Sequence, residues 1–397
     1  MFFVQLQVYL YDGHVKFLNG DEIMKIAILG LGTIGKGVYE LARKSNTPEV
    51  KKILDIRVWM DNMTTDINDI VNDDEIETVV ETMGGLHPAY EYAVACIESG
   101  KNYVTANKFL VSEYGMDLAE RARKKNKAFL FSASCGGGIP YLYNLSKIKT
   151  CDKIVSVGGI MNGTTNFILD SIFTCGKGYE DALKEAQELG YAEKDPTADV
   201  EGLDTQRKLT LACAVAFSKM PKPSDIPTFG IGHMKQDDID YAKANGKIYR
   251  LTAKASFDGV KLDARVMPEL ISADRIESGI RKNINIAWYE GESIGQFSFT
   301  GQGAGRYPTA GNILRDAEAI AAGDKVMLPD DTVVSKVECT ERNRYYVRVP
   351  LVLGSAFADC KEIRKTVGYV SFETIPMTAQ DLKTRLDNET DLFAAII

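Results

Sequence analysis

The sequence predicts an α/β protein: a doubly wound parallel sheet first, then a mixed α+β region, then a small C-terminal α/β unit. Three observations carry that prediction. From Lys25 onward, short continuous apolar runs alternate with amphipathic stretches of helical period, as expected of parallel strands buried on both faces by crossover helices. Gly30, Gly32 and Gly35 fall directly between the first such strand and the first such helix. Near Gly138-Ile139-Pro140 the alternation stops, and longer runs of period two follow, two of them joined at Asp258-Gly259. The 397 residues allow two or three domains at roughly 100–200 residues each. The expected units are 24–150, 151–322 and 323–397, with residues 1–23 as an N-terminal extension.

In order along the chain, FVQLQVYLY and HVKFLN form a hairpin signal around Asp12-Gly13, to which no function is assigned. KIAILG is a buried strand and TIGKGVYELARKS an amphipathic helix. ILDIRVWM, ETVVETM, NYVTAN and AFLFSA continue as strands, with EYAVACIESG and DLAERARKKN as helices among them. The middle region opens with IVSVGGIMNGTTNFILDSI and passes through the helical YEDALKEAQELG and GLDTQRKLTLACAVAFS. It then alternates through KIYRLTAKASF, VKLDARVMP and NIAWYEGESIGQFSFTG, and is expected to supply substrate contacts and a dimer surface. The tail reads strand, helix, strand, helix, strand: RYYVRVP, FADCKEIRK, GYVSFETIP, AQDLKTRLD, LFAAII.

Composition narrows the function classes. A net charge of −8 argues against nucleic acid or an anionic membrane as the main partner. The seven cysteines show no C-x-x-C pair and no neighbouring histidine, so neither a disulfide framework nor a structural zinc site is expected. Free thiols in a reducing cytoplasm fit better. The N-terminal MFFVQLQVYLYDGH lacks a basic start and breaks its apolar run with glutamines, making a poor signal peptide. With only three histidines, His14, His87 and His233, acid/base work is expected to fall to Lys, Asp or Glu.

The strand–turn–helix setting of Gly30, Gly32 and Gly35 gives the G-x-G-x-x-G pattern the context that a dinucleotide-binding Rossmann-type fold requires. The first glycine allows the tight turn, the second lets backbone approach a pyrophosphate, and the third packs helix on strand. Amides of Thr33 and Ile34 at the helix N-terminus then face the phosphates. Asp61, read as the end of the strand ILDIRVWMD, is the candidate acceptor of the ribose hydroxyls. No basic residue follows it closely, which leans toward NAD over NADP, with dual use as the alternative.

Further strings occur in a fixed order: ETMGG (81–85), a segment ending at Asn107-Lys108, GGGIP (136–140), GGIMNGTTNFIL (158–169), ELGYAEKDPTADVEGLDTQRK (188–208) and GQGAGRYPTA (301–310). Together they closely resemble homoserine dehydrogenase, over roughly Met24 to Ile320. The resemblance implies reversible interconversion of L-homoserine and L-aspartate 4-semialdehyde with a nicotinamide cofactor, on the route to threonine and methionine. It also implies a homodimer or higher homo-oligomer. Alternatives are a related amino-acid dehydrogenase of other substrate preference, or a nicotinamide-binding regulatory protein without turnover.

Such a substrate carries an ammonium, a carboxylate and a hydroxyl. Glu193, Asp199 and Asp204 can receive the ammonium, and the amides of Asn162, Gly163 and Thr164 the carboxylate. The hydroxyl proton must leave as hydride is transferred, so a base has to stand within hydrogen-bond reach. Lysine is the natural candidate, its pKa lowered by desolvation. Asp204 and Lys208 are four apart in a helical segment and share a face. Alone, they would read as a plain helix ion pair worth a few tenths of a kcal/mol. The resemblance instead implies Lys208 as proton donor in aldehyde reduction, Glu193 as substrate contact and Asp204 as the group orienting Lys208. Lys108, closing the strand NYVTAN, is the second lysine candidate, toward both nicotinamide and substrate. Thr82 and Gly84 are expected to line the cofactor, and Gly303, Ala304 and Gly305 to close over the nicotinamide.

Two departures stand out. In relatives, the loop FSASCGGGIP binds a monovalent cation through one carboxylate and carbonyls at the positions of Cys135, Gly137 and Ile139. Here Ser132 replaces the acidic residue, which removes the one formal negative charge, but the carbonyls need no side chain, so a sodium or potassium ion at Cys135, Gly137 and Ile139 stays open. Many relatives also end in a regulatory ACT domain with a D-R-P-G turn, whereas LVLGSAFADC follows RYYVRVP here, so the tail is at most a degenerate ACT-like unit and threonine feedback is not expected.

Overall fold

A computed structural model describes residues 8–11, 14–17, 23–45, 48–386, 389 and 391–397. Val8–Tyr11 and His14–Phe17 pair antiparallel, with Tyr11 opposite His14. The Asp12-Gly13 turn expected between them lies outside the described residues.

Six parallel strands form the first sheet, in the spatial order Met63–Thr64, Glu49–Leu54, Lys25–Leu29, Thr78–Glu81, Asn102–Thr105, Phe129–Leu130. Counted along the chain this is 3-2-1-4-5-6, the order of a doubly wound dinucleotide-binding sheet. Strand residues alternate between two apolar layers, which explains why these segments read as uninterrupted hydrophobic runs. Ala27, Leu29, Val79 and Tyr103 pack toward the helices Ala89–Glu98 and Lys108–Lys124. Ile26, Ile28, Val80 and Val104 face the opposite way, with Val38 and Ala42 of the helix Thr33–Ser45. The same layer takes Ala310, Ile313 and Leu314 from the distant helix Arg306–Ala321, so a segment far along the chain completes the sheet's second face.

The second sheet has nine strands. Gly295–Gln302, Ile284–Gly291, Ile154–Ile160, Ile248–Phe257 and Leu262–Ile271 come from the middle region. Phe393–Ile396, Tyr345–Pro350, Tyr369–Glu373 and Lys361–Lys365 continue it from the tail, joined where Ile396 lies parallel beside Glu269. The hairpin at Asp258-Gly259 closes between Phe257 and Leu262. Asp258 accepts the amides of Val260 and Lys261 there.

Two segments differ from expectation. The second strand of the first sheet is Glu49–Leu54, not the run ILDIRVWM. Asp55 turns its carboxylate back onto the Leu31 and Arg57 amides and ends the strand, leaving Ile56, Val58 and Trp59 exposed. FADCKEIRK is not a helix: Leu351–Phe357 is a short 3-10 segment and Lys361–Lys365 an edge strand paired with Tyr369–Glu373. With Ile363 alone among four charges, KEIRK offers a helix no apolar face, whereas an edge strand can present those charges to water. Among the described residues, no helix is long and apolar enough to cross a membrane.

Candidate active site

The glycine-rich turn sits at the carboxyl end of Lys25–Leu29, where ligands bind in open α/β sheets. Gly30 has φ +90°, a left-handed conformation that a side chain would strain, and a Cβ on Gly35 would lie 2.0 Å from the Gly30 carbonyl. Nothing lies within 4 Å of a Cβ built on Gly32, so the backbone there is open to a ligand. Thr33, Ile34 and Gly35 begin the helix, whose first amides have no intrahelical acceptor. Thr82 Oγ1 donates to the Gly30 carbonyl at 2.7 Å, bracing the turn.

Glu81, fully buried, organises the neighbouring strand end. It accepts the Met83 amide at 2.7 Å, the Gly84 amide at 3.0 Å and the Thr105 hydroxyl at 2.5 Å. Burial pushes its carboxyl above the usual range against these donors. At the next strand end Asn107 caps the helix Lys108–Lys124, its Oδ1 accepting the Leu110 amide, which makes Lys108 the first helical residue.

Lys108 meets the second unit at Asp204. Its Nζ lies 3.0 Å from Asp204 Oδ1, and Lys208 Nζ lies 2.7 Å from Asp204 Oδ2. Lys208 also donates to the Met161 carbonyl at 2.7 Å. Asn162 supplies the remaining contacts. Its Oδ1 caps the helix Gly163–Cys175 by accepting the Thr165 amide, and its Nδ2 donates to Asp199 at 2.6 Å and Asp204 at 2.9 Å. Lys208 and Asp204 project from the first turns of Leu203–Phe217, a helix almost entirely buried along its length.

The electrostatics follow from this pairing. Burial alone would favour neutral Asp204, but the ammonium groups of Lys208 and Lys108 overcome it and hold the carboxyl below its usual range. For Lys208, desolvation pulls downward and Asp204 pulls upward, and the net shift is upward. That corrects the expectation of a lowered lysine pKa: the i,i+4 carboxylate at hydrogen-bond distance outweighs desolvation. Asp199, lacking a direct cation, is raised by burial.

Two other expected residues stand elsewhere. Asp61 is not at a strand end but in the exposed turn before Met63–Thr64. Asp55 occupies the strand end instead, accepting the Leu31 amide inside the glycine-rich turn at 2.6 Å. Its signal in the sequence was present, since it stands closer to Gly35 than Asp61 does, but the apolar run IRVW drew the strand too far. Glu193 is exposed, and no hydrogen bond links its carboxylate to the Asp204 cluster among the described residues. Its segment is tied to the site through Thr164 Oγ1, which donates to the Tyr191 carbonyl at 2.6 Å. Gly163 leaves no room for a side chain, a Cβ there lying 2.8 Å from the Asn283 carbonyl.

Gly303, Ala304 and Gly305 lead into the helix Arg306–Ala321. A Cβ on Gly303 would collide with the Asn285 amide, which is buried and has no hydrogen-bond partner among the described residues. An orphaned amide beside this loop fits a ligand that brings its own polar groups. No sequence pattern marked Asn285. Cys135 lies in the field of Lys208, Asp204 and Lys108, its thiol pushed up to about 12 by burial. Asn312 Nδ2 donates to the Gly137 carbonyl at 2.8 Å and to that of Ile139 at 3.3 Å.

Comparison with known proteins agrees with this geometry. Residues 140–317 match the family model described as homoserine dehydrogenase, and residues 30–132 match the homoserine dehydrogenase NAD binding domain. The chain is 34% identical over 316 residues to the homoserine dehydrogenase of Bacillus subtilis, covering 75% of this chain and 73% of that one. With the Corynebacterium glutamicum homoserine dehydrogenase it shares 37% over 322 residues, covering 76% and 72%. A crystal structure of a homoserine dehydrogenase from Thiobacillus denitrificans superposes with a TM-score of 0.82 at 29% identity, covering 94% of this chain and 98% of that one. The chain belongs to the homoserine dehydrogenase family.

Proposed function

We propose that the chain interconverts L-homoserine and L-aspartate 4-semialdehyde, with Lys208 giving a proton to the aldehyde oxygen in reduction and taking it from the hydroxyl in oxidation. The nicotinamide cofactor supplies the hydride acceptor or donor. One observation carries the reading: Asp204 joins two lysines, from separate units, at 2.7 and 3.0 Å, and Lys108 stands just past the carboxyl end of Asn102–Thr105 in the sheet that holds the glycine-rich turn. Asp204 keeps Lys208 charged and aimed, so the ammonium is loaded for reduction. Lys108 shares the same carboxylate and stands on the cofactor side. Asp199 and Glu193 receive the substrate ammonium, and the Asn162, Gly163 and Thr164 amides its carboxylate. For Glu193 this requires its exposed segment to turn inward on binding.

Cofactor preference rests on Asp55 in place of Asp61. A carboxylate at that strand end accepts ribose hydroxyls and disfavours a phosphate, supporting NAD. The exposed Arg57 two residues on supports NADP use as well. Thr82, Gly84 and the Gly303–Gly305 loop complete the cofactor side. The division of labour follows the units 24–150, 151–322 and 323–397, the last a degenerate ACT-like extension. Free thiols support a reducing, cytoplasmic setting. The edge strand Gly295–Gln302, with Phe297 exposed, supports pairing into a homodimer, which sedimentation would test. The functional test is turnover of L-homoserine with NAD and NADP in turn, for the native protein and Lys208→Ala.

A further inference from the structure

The resemblance implies a monovalent cation under the loop 135–139, held by a carboxylate and the carbonyls of Cys135, Gly137 and Ile139. The residues present do not fit it. An alkali cation needs free oxygen lone pairs, yet Asn312 Nδ2 donates to both the Gly137 and the Ile139 carbonyls. The Ile139 carbonyl also accepts the Tyr141 amide at 2.8 Å, which uses its second lone pair. Asn312 is 1% exposed, and its orientation is fixed at both ends, because its Oδ1 accepts Arg315 Nη1 at 3.1 Å.

The negative ligand is missing too. Ser132 donates its hydroxyl to Asp316 Oδ1 at 2.5 Å and its amide to Oδ2 at 2.8 Å. The carboxylate nearest Ser132 is thus occupied by Ser132 itself. Asn312 and Asp316 are four apart on the helix Arg306–Ala321, so one helical face supplies both replacements: donors for the carbonyls and acceptors for the loop.

The loop matters because it touches both halves of the site. A Cβ on Gly137 would lie 2.5 Å from the Gly303 carbonyl, and the Gly138 amide donates to the Gln302 carbonyl at 3.2 Å. Cys135, at its start, adjoins the Lys208 cluster.

We infer that Asn312 is a positioning residue whose side-chain amide takes the place of an alkali cation beneath residues 135–139, so that turnover in this chain needs no monovalent cation. The inference deepens the functional reading and rests on it only where turnover is the readout.

The test exchanges sodium or potassium for tetramethylammonium at constant ionic strength and measures kcat, KM and melting temperature. A cation that bound the folded loop would raise the melting temperature with its concentration. For the native protein the expected result is no cation-dependent rise and kcat equal within about twofold. Saturable activation or stabilisation by sodium or potassium overturns the inference. Asn312→Ala is expected to lower kcat about tenfold, since two buried carbonyls lose their shared donor. The pair Ser132→Glu with Asn312→Ala restores a carboxylate and frees the carbonyls, and should gain a cation-dependent melting temperature and turnover. A folded double variant indifferent to cations also overturns the inference. If that variant does not fold, the native protein and Asn312→Ala decide. A protein that melts identically in every salt yet oxidises no homoserine would sink the functional reading and leave this one standing.

Discussion

Asp204 and Asp316 are both buried, both on helices, and their surroundings drive ionisation in opposite directions. Asp204 lies between two ammonium groups and is held below the usual carboxylate range. Asp316, fully buried, takes its hydrogen bonds among the described residues from the Ser132 hydroxyl and amide, and burial, outweighing these and the more distant Arg315, pushes it up to about 7. Burial costs each of them; only a cation at hydrogen-bond distance reverses the sign. The Lys208 site therefore pairs its buried carboxylate directly with cations, while Asp316 beneath the 135–139 loop has neutral hydrogen-bond donors instead. Cys135, at the start of that loop, lies in the field of the Lys208 cluster, so one fold maintains both regimes.

The largest expected effect belongs to the charged side. Lys208→Ala should lower kcat by about two or more orders of magnitude, as for a removed acid/base, with the cofactor dissociation constant little changed. Full activity in that variant would dissolve the contrast between the sites. Asp204→Asn comes next. It leaves Lys208 buried without its carboxylate, and denaturant unfolding should show a loss of about 3–5 kcal/mol. A loss under about 1 kcal/mol would mean that the pair behaves as an exposed one.

Asp316 gives the third effect, and its sign is opposite. Because its folded pKa is raised, the native state holds a proton that the unfolded chain releases. Its contribution is intact below the ordinary carboxylate range near pH 4 and is lost as pH rises through about 7. Asp316→Asn should flatten that part of the stability profile, measured by thermal melts between these limits. Asp204 works the other way: its contribution is present at neutral pH and is lost as pH falls below the ordinary carboxylate range. The smallest effect is expected at Asp55→Ser, a several-fold shift of kcat/KM toward NADP with kcat little altered. No shift would place the cofactor discrimination elsewhere.

Much of this architecture was legible in the sequence because its causes are local. Buried strands such as KIAIL and TVVE read directly as apolar runs, and the glycine pattern marked the turn they feed. Asp204 and Lys208 were visible through helical spacing. Other features depend on contacts between distant segments. Asp55 ends its strand by bonding an amide 24 positions earlier, which no window around IRVW reveals. The upward shift at Lys208 needed the distance to Asp204, since desolvation alone gives the opposite sign. Asn312 and Asp316 belong to no motif in the sequence, and only the arrival of Ser132, Gly137 and Ile139 from the other unit gives them partners. KEIRK carried its signal in its charges, overlooked in favour of strand–helix alternation.

The most direct measurement is the pH dependence of kcat for L-homoserine oxidation in the native protein and in Lys208→Ala. Oxidation needs the free amine, and Asp204 holds Lys208 protonated, so native kcat should climb steadily with pH through neutrality into the alkaline range. The residual rate of Lys208→Ala should lack that climb. The same slope in both proteins would contradict the assignment of the proton to Lys208.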